Sequence, residues 1–154
     1  MENKYYCILD IGGTKILVVL ADSRQRIIYK EKLPTMSGDT VDPLIEQIND
    51  CVGRAAGQLK RGTELAGLGI CIAAFVDSET GELYGAPNLK IKKKIPMKDI
   101  LHQRWDMPVI IENDANAAVL GEVRYGAAIG GKDAIYLTVS TGVGGGLYLN
   151  GQLY

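Results

Sequence analysis

The amino-acid sequence predicts an α/β domain built on a mixed sheet, and three observations carry that prediction. Three strand-like segments near the N-terminus, Tyr5–Asp10, Lys15–Ala21 and Arg26–Leu33, are separated by turn residues and read as an antiparallel meander. The period then changes: Val41, Leu44, Ile45, Ile48, Cys51, Val52, Ala55 and Leu59 recur at helical spacing, with Glu46, Asn49, Asp50 and Lys60 opposite them. Beyond that helix, strand-sized apolar runs alternate with further helical segments, an order that belongs to α/β folds.

The elements follow in sequence. Ile11-Gly12-Gly13-Thr14 and Asp22–Gln25 make the first two turns. Thr40 or Asp42 can cap the long helix, Pro43 is tolerated in its first turn, and Gly62 is expected to end it. Leu65–Val76 reads as one buried strand running into a loop, and Thr80-Gly81-Glu82 as a turn. The lysines Lys92-Lys93-Lys94, inside Ile91–Ile95, read as a solvated loop. A short helix over Met97–Trp105 precedes Pro108, Val109–Ile111 is a strand, and Asp114–Tyr125 is an alanine-rich helix ended by Gly126. Ala134–Val139 and Gly146–Leu149 form a second hairpin.

Composition narrows the function classes. The chain has 154 residues, within the roughly 100–200 typical of one domain. Seventeen Lys+Arg against eighteen Asp+Glu give a net charge of −1, which argues against a basic protein that coats nucleic acid by counterion release. No apolar run approaches the ~18 residues of a membrane span, and the N-terminus lacks the pattern of a signal peptide; a cytoplasmic protein is expected. Cys7, Cys51 and Cys71 are odd in number and sit in apolar segments, so they read as buried reduced thiols. His102 is the sole histidine, which leaves no residues for a Ser-His-Asp triad beyond it and little for a zinc cluster.

Glycine is the outlying residue: 19 of them, against an average share near 7%, and not in a low-complexity tract. Two stand in Asp10-Ile11-Gly12-Gly13-Thr14-Lys15. There the glycines let the backbone turn tightly, so that the following N–H groups and the Thr14 hydroxyl can face phosphate oxygens. Asp10 can hold magnesium through water and Lys15 adds positive charge, although a hairpin turn alone would also account for the glycines. Ser140-Thr141-Gly142-Val143-Gly144-Gly145-Gly146 has more glycine than a two-residue turn requires, which points to close approach of a ligand. Tyr6–Leu20 and Tyr136–Asn150 share a pattern of strand, small polar residue, glycine two positions on, and strand, as the opening hairpins of a duplicated domain would. Glu112-Asn113-Asp114-Ala115-Asn116-Ala117-Ala118 falls where a strand meets a helix. Asp114 there can be an N-cap, a proton acceptor in phosphoryl transfer, or both. Ala86-Pro87-Asn88-Leu89 offers one amide in a turn.

Together DIGGTK (10–15), APNL (86–89), ENDANAA (112–118), GEVRYGA (121–127) and TVSTGVGGGLYLNGQLY (138–154) closely resemble the ROK family of sugar kinases and related repressors, in the correct order over essentially the whole chain. The resemblance implies a ribonuclease-H-like (actin-like ATPase) fold of two lobes, with ATP and a hexose in the cleft between them and the sugar 6-hydroxyl attacking the γ-phosphate. It implies Asp114 as catalytic base, Asn88, Asn113 and Asp114 on the sugar, and Asp10 supporting magnesium. Gly12, Gly13, Thr14 and Lys15 would form the first phosphate loop, and Thr141, Gly142 and Gly144 the second. Residues 1–126 would then be the N-terminal lobe and 127–154 the opening hairpin of a second, so the chain is expected to be a fragment that is inactive alone. The family's structural zinc site is not encoded in this chain. Family members are often dimeric through the second lobe, so a homodimer remains open.

Three departures bear on specificity. Ala73-Ala74-Phe75 stands where the family usually has a Pro-Gly pair before Val-Asp, which leaves the choice of sugar open. Lys90-Ile91-Lys92-Lys93 replaces a run that commonly holds tryptophan, and Ser140 replaces a common glycine. The favoured expectation is an ATP-dependent hexose or N-acylhexosamine kinase. The alternative is the sugar-sensing module of a ROK-type repressor. Only Met1–Lys4 precede Tyr5, which leaves no room for the winged helix-turn-helix that such repressors usually place first, and Asp10, Thr14 and Asp114 are all kept.

Overall fold

A computed structural model describes residues 4–36, 38, 40–139 and 143–154. Strands β1 (Tyr5–Ile11), β2 (Lys15–Asp22) and β3 (Ile27–Pro34) form the expected antiparallel meander. Helix α1 (Asp42–Ala56) then leads back to β4 (Leu65–Ile72), which lies parallel to β1. A small hairpin follows, β5 (Phe75–Asp77) with β6 (Glu82–Gly85), then a 3-10 turn over Pro87–Leu89, helix α2 (Met97–Trp105) and β7 (Val109–Asn113). Helix α3 (Asp114–Tyr125) leads to β8 (Ala134–Val139), β9 (Val143–Leu149) and β10 (Gln152–Leu153). The main sheet has the order β3-β2-β1-β4-β7, and β10-β9-β8 form a second sheet. This is the α/β fold with a mixed sheet that the sequence predicts.

The period-2 alternation of each strand decides what the main sheet presents on either side. Leu9 and Ile11 of β1, Ile16, Val18 and Leu20 of β2, Ile70 and Ile72 of β4, and Ile111 of β7 are buried together with Ile48, Cys51 and Val52 of α1 and Leu101 of α2. Each such side chain contributes about 1.5–3 kcal/mol by leaving water. The same alternation turns Tyr6, Ile8 and Asp10 to the opposite face. There Tyr6 and Ile8 share a groove with Ile110 and with Tyr125 of α3. Asp10 is aligned with Cys71, and Cys71 with Glu112, so three polar residues form a row across β1, β4 and β7.

Several boundaries differ from the sequence reading. Helix α1 stops at Ala56, where the bonding changes from four residues back to three: the Gln58 and Leu59 N–H groups donate to the Ala55 and Ala56 carbonyls at 3.1 and 3.0 Å; neither Thr40 nor Asp42 caps it, and Gly62 lies beyond its end. Leu59 still packs on the core from that turn, which is why it matches the helical period. Leu65–Val76 is not one strand. It breaks at Ala73-Ala74, where the Ala74 N–H donates back to the Ile72 carbonyl at 2.8 Å, and β5 leaves to pair with β6. The lysine loop is anchored by its isoleucines: Ile91 is buried and bridges Ala86, and Ile95 bridges Leu83. Lys94 is paired with Glu82 at 2.7 Å and lies over the Tyr84 ring, while Lys92 and Lys93 are exposed as expected.

The largest correction concerns the second glycine cluster. Gly144, Gly145 and Gly146 are strand residues, opposite Thr138, Leu137 and Tyr136 respectively, so β9 begins at Val143 and not at Gly146. A Cβ at Gly146 would overlap the Ala115 carbonyl oxygen and stand 2.8 Å from its carbon. The close approach that demands glycine there is to the first turn of α3, within the protein itself.

Candidate active site

Strand β7 delivers the site. Its pairing with β4 runs to Asn113, and α3 starts at the next residue, so the strand-to-helix junction stands at the edge of the sheet. Asn113, not Asp114, is the N-cap: its Oδ1 accepts from the Ala115 N–H at 2.9 Å and from the Asn116 N–H at 3.2 Å. Such a cap is worth about 1 kcal/mol. One side-chain amide hydrogen of Asn113 is also used, since Nδ2 donates to the Ala74 carbonyl at 3.0 Å. That bond ties the Ala73-Ala74 break to the start of α3. Glu112 completes the frame: its Oε1 accepts from the Asn113 N–H at 2.8 Å and from Asn116 Nδ2 at 3.1 Å.

With both neighbours engaged, Asp114 is the first residue of α3, half-buried, with its Oδ1 accepting from the Ala115 N–H at 2.9 Å. It lines a cleft of about 380 Å³ together with Phe75, Val76, Asn113, Asn116 and, from β9, Gly144 and Gly145. A carboxylate at a helix N-terminus is favoured by the helix dipole.

Of the other expected site residues, Asp10, Gly12, Gly13, Thr14, Lys15 and Asn88 are not in its lining. Asp10 ends β1 on the same sheet face. Partial burial raises its pKa first, the Asp114 charge raises it further, and Lys15 opposes both. Beneath them the Cys71 thiol is pushed up to about 11, by burial first and then by Asp10, Glu112 and Asp114. The Gly12–Lys15 turn is closed by the Gly12 N–H on the Lys15 carbonyl at 2.9 Å, and Thr35 braces it by donating from Oγ1 to the Gly12 carbonyl at 2.7 Å. A Cβ at Gly13 would stand 2.9 Å from Asn88 Cβ and 3.0 Å from its carbonyl oxygen, so the turn and the Asn88 loop are packed against each other. Thr14, Lys15 and Asn88 are exposed. Thr141 and Gly142 lie outside the described residues.

Among the described residues no three His, Cys, Asp or Glu side chains gather as a metal cage. The donor chemistry fits an oxygen-preferring cation held by one carboxylate and water, because a cation near Asp10 would relieve its repulsion with Asp114. The same repulsion has a consequence for stability. Asp10 is deprotonated less readily in the fold than in the unfolded chain, so it favours folding below its ordinary pKa of 3.8. That advantage is lost as pH rises through the raised value, and at neutral pH the charge is a net cost. Asp10→Asn is therefore expected to raise the melting temperature of the ligand-free chain slightly at pH 7, with the difference from wild type vanishing near pH 3. An Asn variant that melts lower at pH 7 would contradict this.

The comparisons with known proteins fit this frame. The model of the ROK family matches residues 5–154. The chain belongs to the ROK family. It is 35% identical over 154 residues to a glucokinase of Halalkalibacterium halodurans, covering 99% of this chain and 46% of that one. It is 30% identical over 149 residues to a xylose repressor of Caldicellulosiruptor bescii, covering 95% and 37%. A crystal structure of a ROK glucokinase from Streptomyces griseus with glucose and AMPPNP superposes with a TM-score of 0.81 at 35% identity, covering 99% of this chain and 46% of that one. The chain thus spans less than half the length of these relatives, and it shares the fold of the ROK sugar kinases.

Sequence reasoning brought Asn113, Asp114 and Gly144 to one place and left out others. Phe75, the Ala74 carbonyl and Glu112 were not singled out, although Glu112 stands in the same short motif. The signal for Phe75 was its being the sole phenylalanine, in a loop that departs from the family pattern.

Proposed function

We propose that this chain supplies the sugar and phosphate face of an ATP-dependent kinase that phosphorylates a hexose or N-acylhexosamine. The observation that carries the proposal is Asp114, a carboxylate held at a helix N-terminus in the lining of an open cleft that Gly144 and Gly145 also line. In this reading Asp114 accepts the proton of the sugar 6-hydroxyl as that oxygen attacks the γ-phosphorus. Asn113 presents its side chain beside it, and Asn88 reaches the sugar from the neighbouring loop. Gly12, Gly13, Thr14 and Lys15 face the phosphates from one side, and Gly144, with Thr141 and Gly142, from the other. Asp10 holds magnesium through water, and the ion when bound neutralises phosphate charge. Lys15, on the same turn, adds a second positive charge.

The likeness to glucokinases supports this reading, as does the joint presence of Asp10, Thr14 and Asp114. We take residues 1–126 as one lobe and 127–154 as the opening of a second, and the site of action as cytoplasmic; among the described residues no helix is long and apolar enough to cross a membrane. The second reading, a sugar-sensing module, rests on the 30% identity to the xylose repressor.

A coupled ADP-release screen of the full-length protein with glucose, fructose, allose, mannose, N-acetylglucosamine and N-acetylmannosamine separates the two. At least one of these sugars is expected to stimulate ADP release. Sugar binding by calorimetry without any turnover would favour the sensor.

A further inference from the structure

We propose that Phe75 helps to bind the sugar by offering its ring as a flat apolar platform to the C–H face of the bound pyranose. The inference rests on the sugar-kinase reading of the cleft. Phe75 is 68% exposed, and an exposed apolar side chain alone carries no meaning. Its position does. Phe75 is in the cleft lining with Ala74 and Val76, and the junction residues Asn113 and Asp114 line the same cleft.

Two features fix that ring relative to Asp114. The residue before it, Ala74, accepts from Asn113 Nδ2 at 3.0 Å, so the strand bearing Phe75 is tied to the residue preceding Asp114. On its other side Phe75 is paired with Gly85 of β6, and a Cβ placed on Gly85 would just touch the ring at 3.9 Å. The ring is thus seated over a strand neighbour with no side chain to displace it, and its outer face is open.

A hexose is amphipathic in the same sense as this cleft. Its hydroxyls project around the rim and are read by directional polar groups, here Asn113, Asp114 and Asn116. Its axial C–H groups form an apolar face, and an aromatic ring matches that face in area and rigidity. Of the apolar residues on the cleft wall, Phe75 is the one large enough to cover it. Because the platform acts on bound sugar and not on the moving proton, its loss should weaken binding more than turnover.

The test compares Phe75→Ala, Phe75→Leu and Phe75→Tyr with wild type, each in the full-length protein. Phe75→Ala is expected to raise the sugar KM about tenfold with kcat reduced less than about threefold. Phe75→Tyr should restore the wild-type KM, and Phe75→Leu should fall between them. The exposed position predicts unchanged melting curves, which excludes a folding defect as the cause. If turnover is normal and Phe75→Ala leaves KM unchanged, the inference is overturned and the kinase reading stands. If no sugar is turned over, the kinase reading fails, and calorimetric sugar affinity decides the platform: a Kd weaker in Phe75→Ala and regained in Phe75→Tyr supports it. Equal Kd values, or no sugar binding at all, overturn it.

Discussion

Asp114→Asn in the full-length protein is expected to fold as wild type and to lose about three orders of magnitude in kcat, the middle of the range that a positioned general base contributes. The substitution keeps the shape and an acceptor for the Ala115 N–H, which Asp114 Oδ1 takes at 2.9 Å. Helix initiation should survive because the cap belongs to Asn113, whose Oδ1 holds the N–H groups of Ala115 and Asn116. What disappears is the capacity to receive a proton. Single-turnover phosphate transfer to the sugar, measured beside a melting curve, checks both halves. Wild-type turnover by the Asn variant would remove Asp114 from the chemistry. The variant also removes one of the charges that raise the Asp10 pKa, so it should make the ligand-free chain slightly more stable near neutral pH.

Gly146→Ala is expected to damage stability and activity together. The added methyl meets the Ala115 carbonyl, which is backbone in the first turn of α3 and cannot rotate aside. Either β9 moves away from α3 or the first turn of α3 is displaced, and Asp114 immediately precedes Ala115. Overpacking of this kind costs roughly 1–3 kcal/mol, or roughly 2–12 °C in melting temperature for a chain of this size. Gly145→Ala gives the contrast, since its added methyl would find its nearest neighbours at 3.3 and 3.4 Å. Thermal melts of the two variants check the prediction: equal melting points would show that the approach of β9 to α3 is not a tight one.

The behaviour of these two glycines shows where sequence reasoning stopped. Glycine excess in Ser140–Gly146 correctly marked a place of close approach, yet the partner at Gly146 is α3 and not a ligand. Pattern cannot name that partner, because Gly146 and Ala115 are brought together by the packing of β9 on α3. Asp114 and Asn113 were equally visible as a polar pair at a strand-to-helix junction. Which of them capped the helix depended on two residues of strand extension, β7 running to Asn113 where periodicity ended it at Ile111. The break at Ala73-Ala74 was hidden for a similar reason. Apolar residues run continuously from Leu65 to Val76, and only the pairing of β5 with β6 shows that the last of them leave the sheet.

The sequence by itself determined the meander, the three helices, the ROK resemblance and the junction that bears Asp114, because each is written in neighbouring residues: hydrophobic period, turn composition or an ordered motif. The tertiary structure alone decided that Asp10 and Asp114 feel one another's charge, that Gly13 abuts Asn88, and that Phe75 shares a cleft with Asp114. Those pairs are far apart in the chain, and their proximity is set by parallel register between β1, β4 and β7 and by the angle at which a strand leaves the sheet. Local propensity carries no record of either.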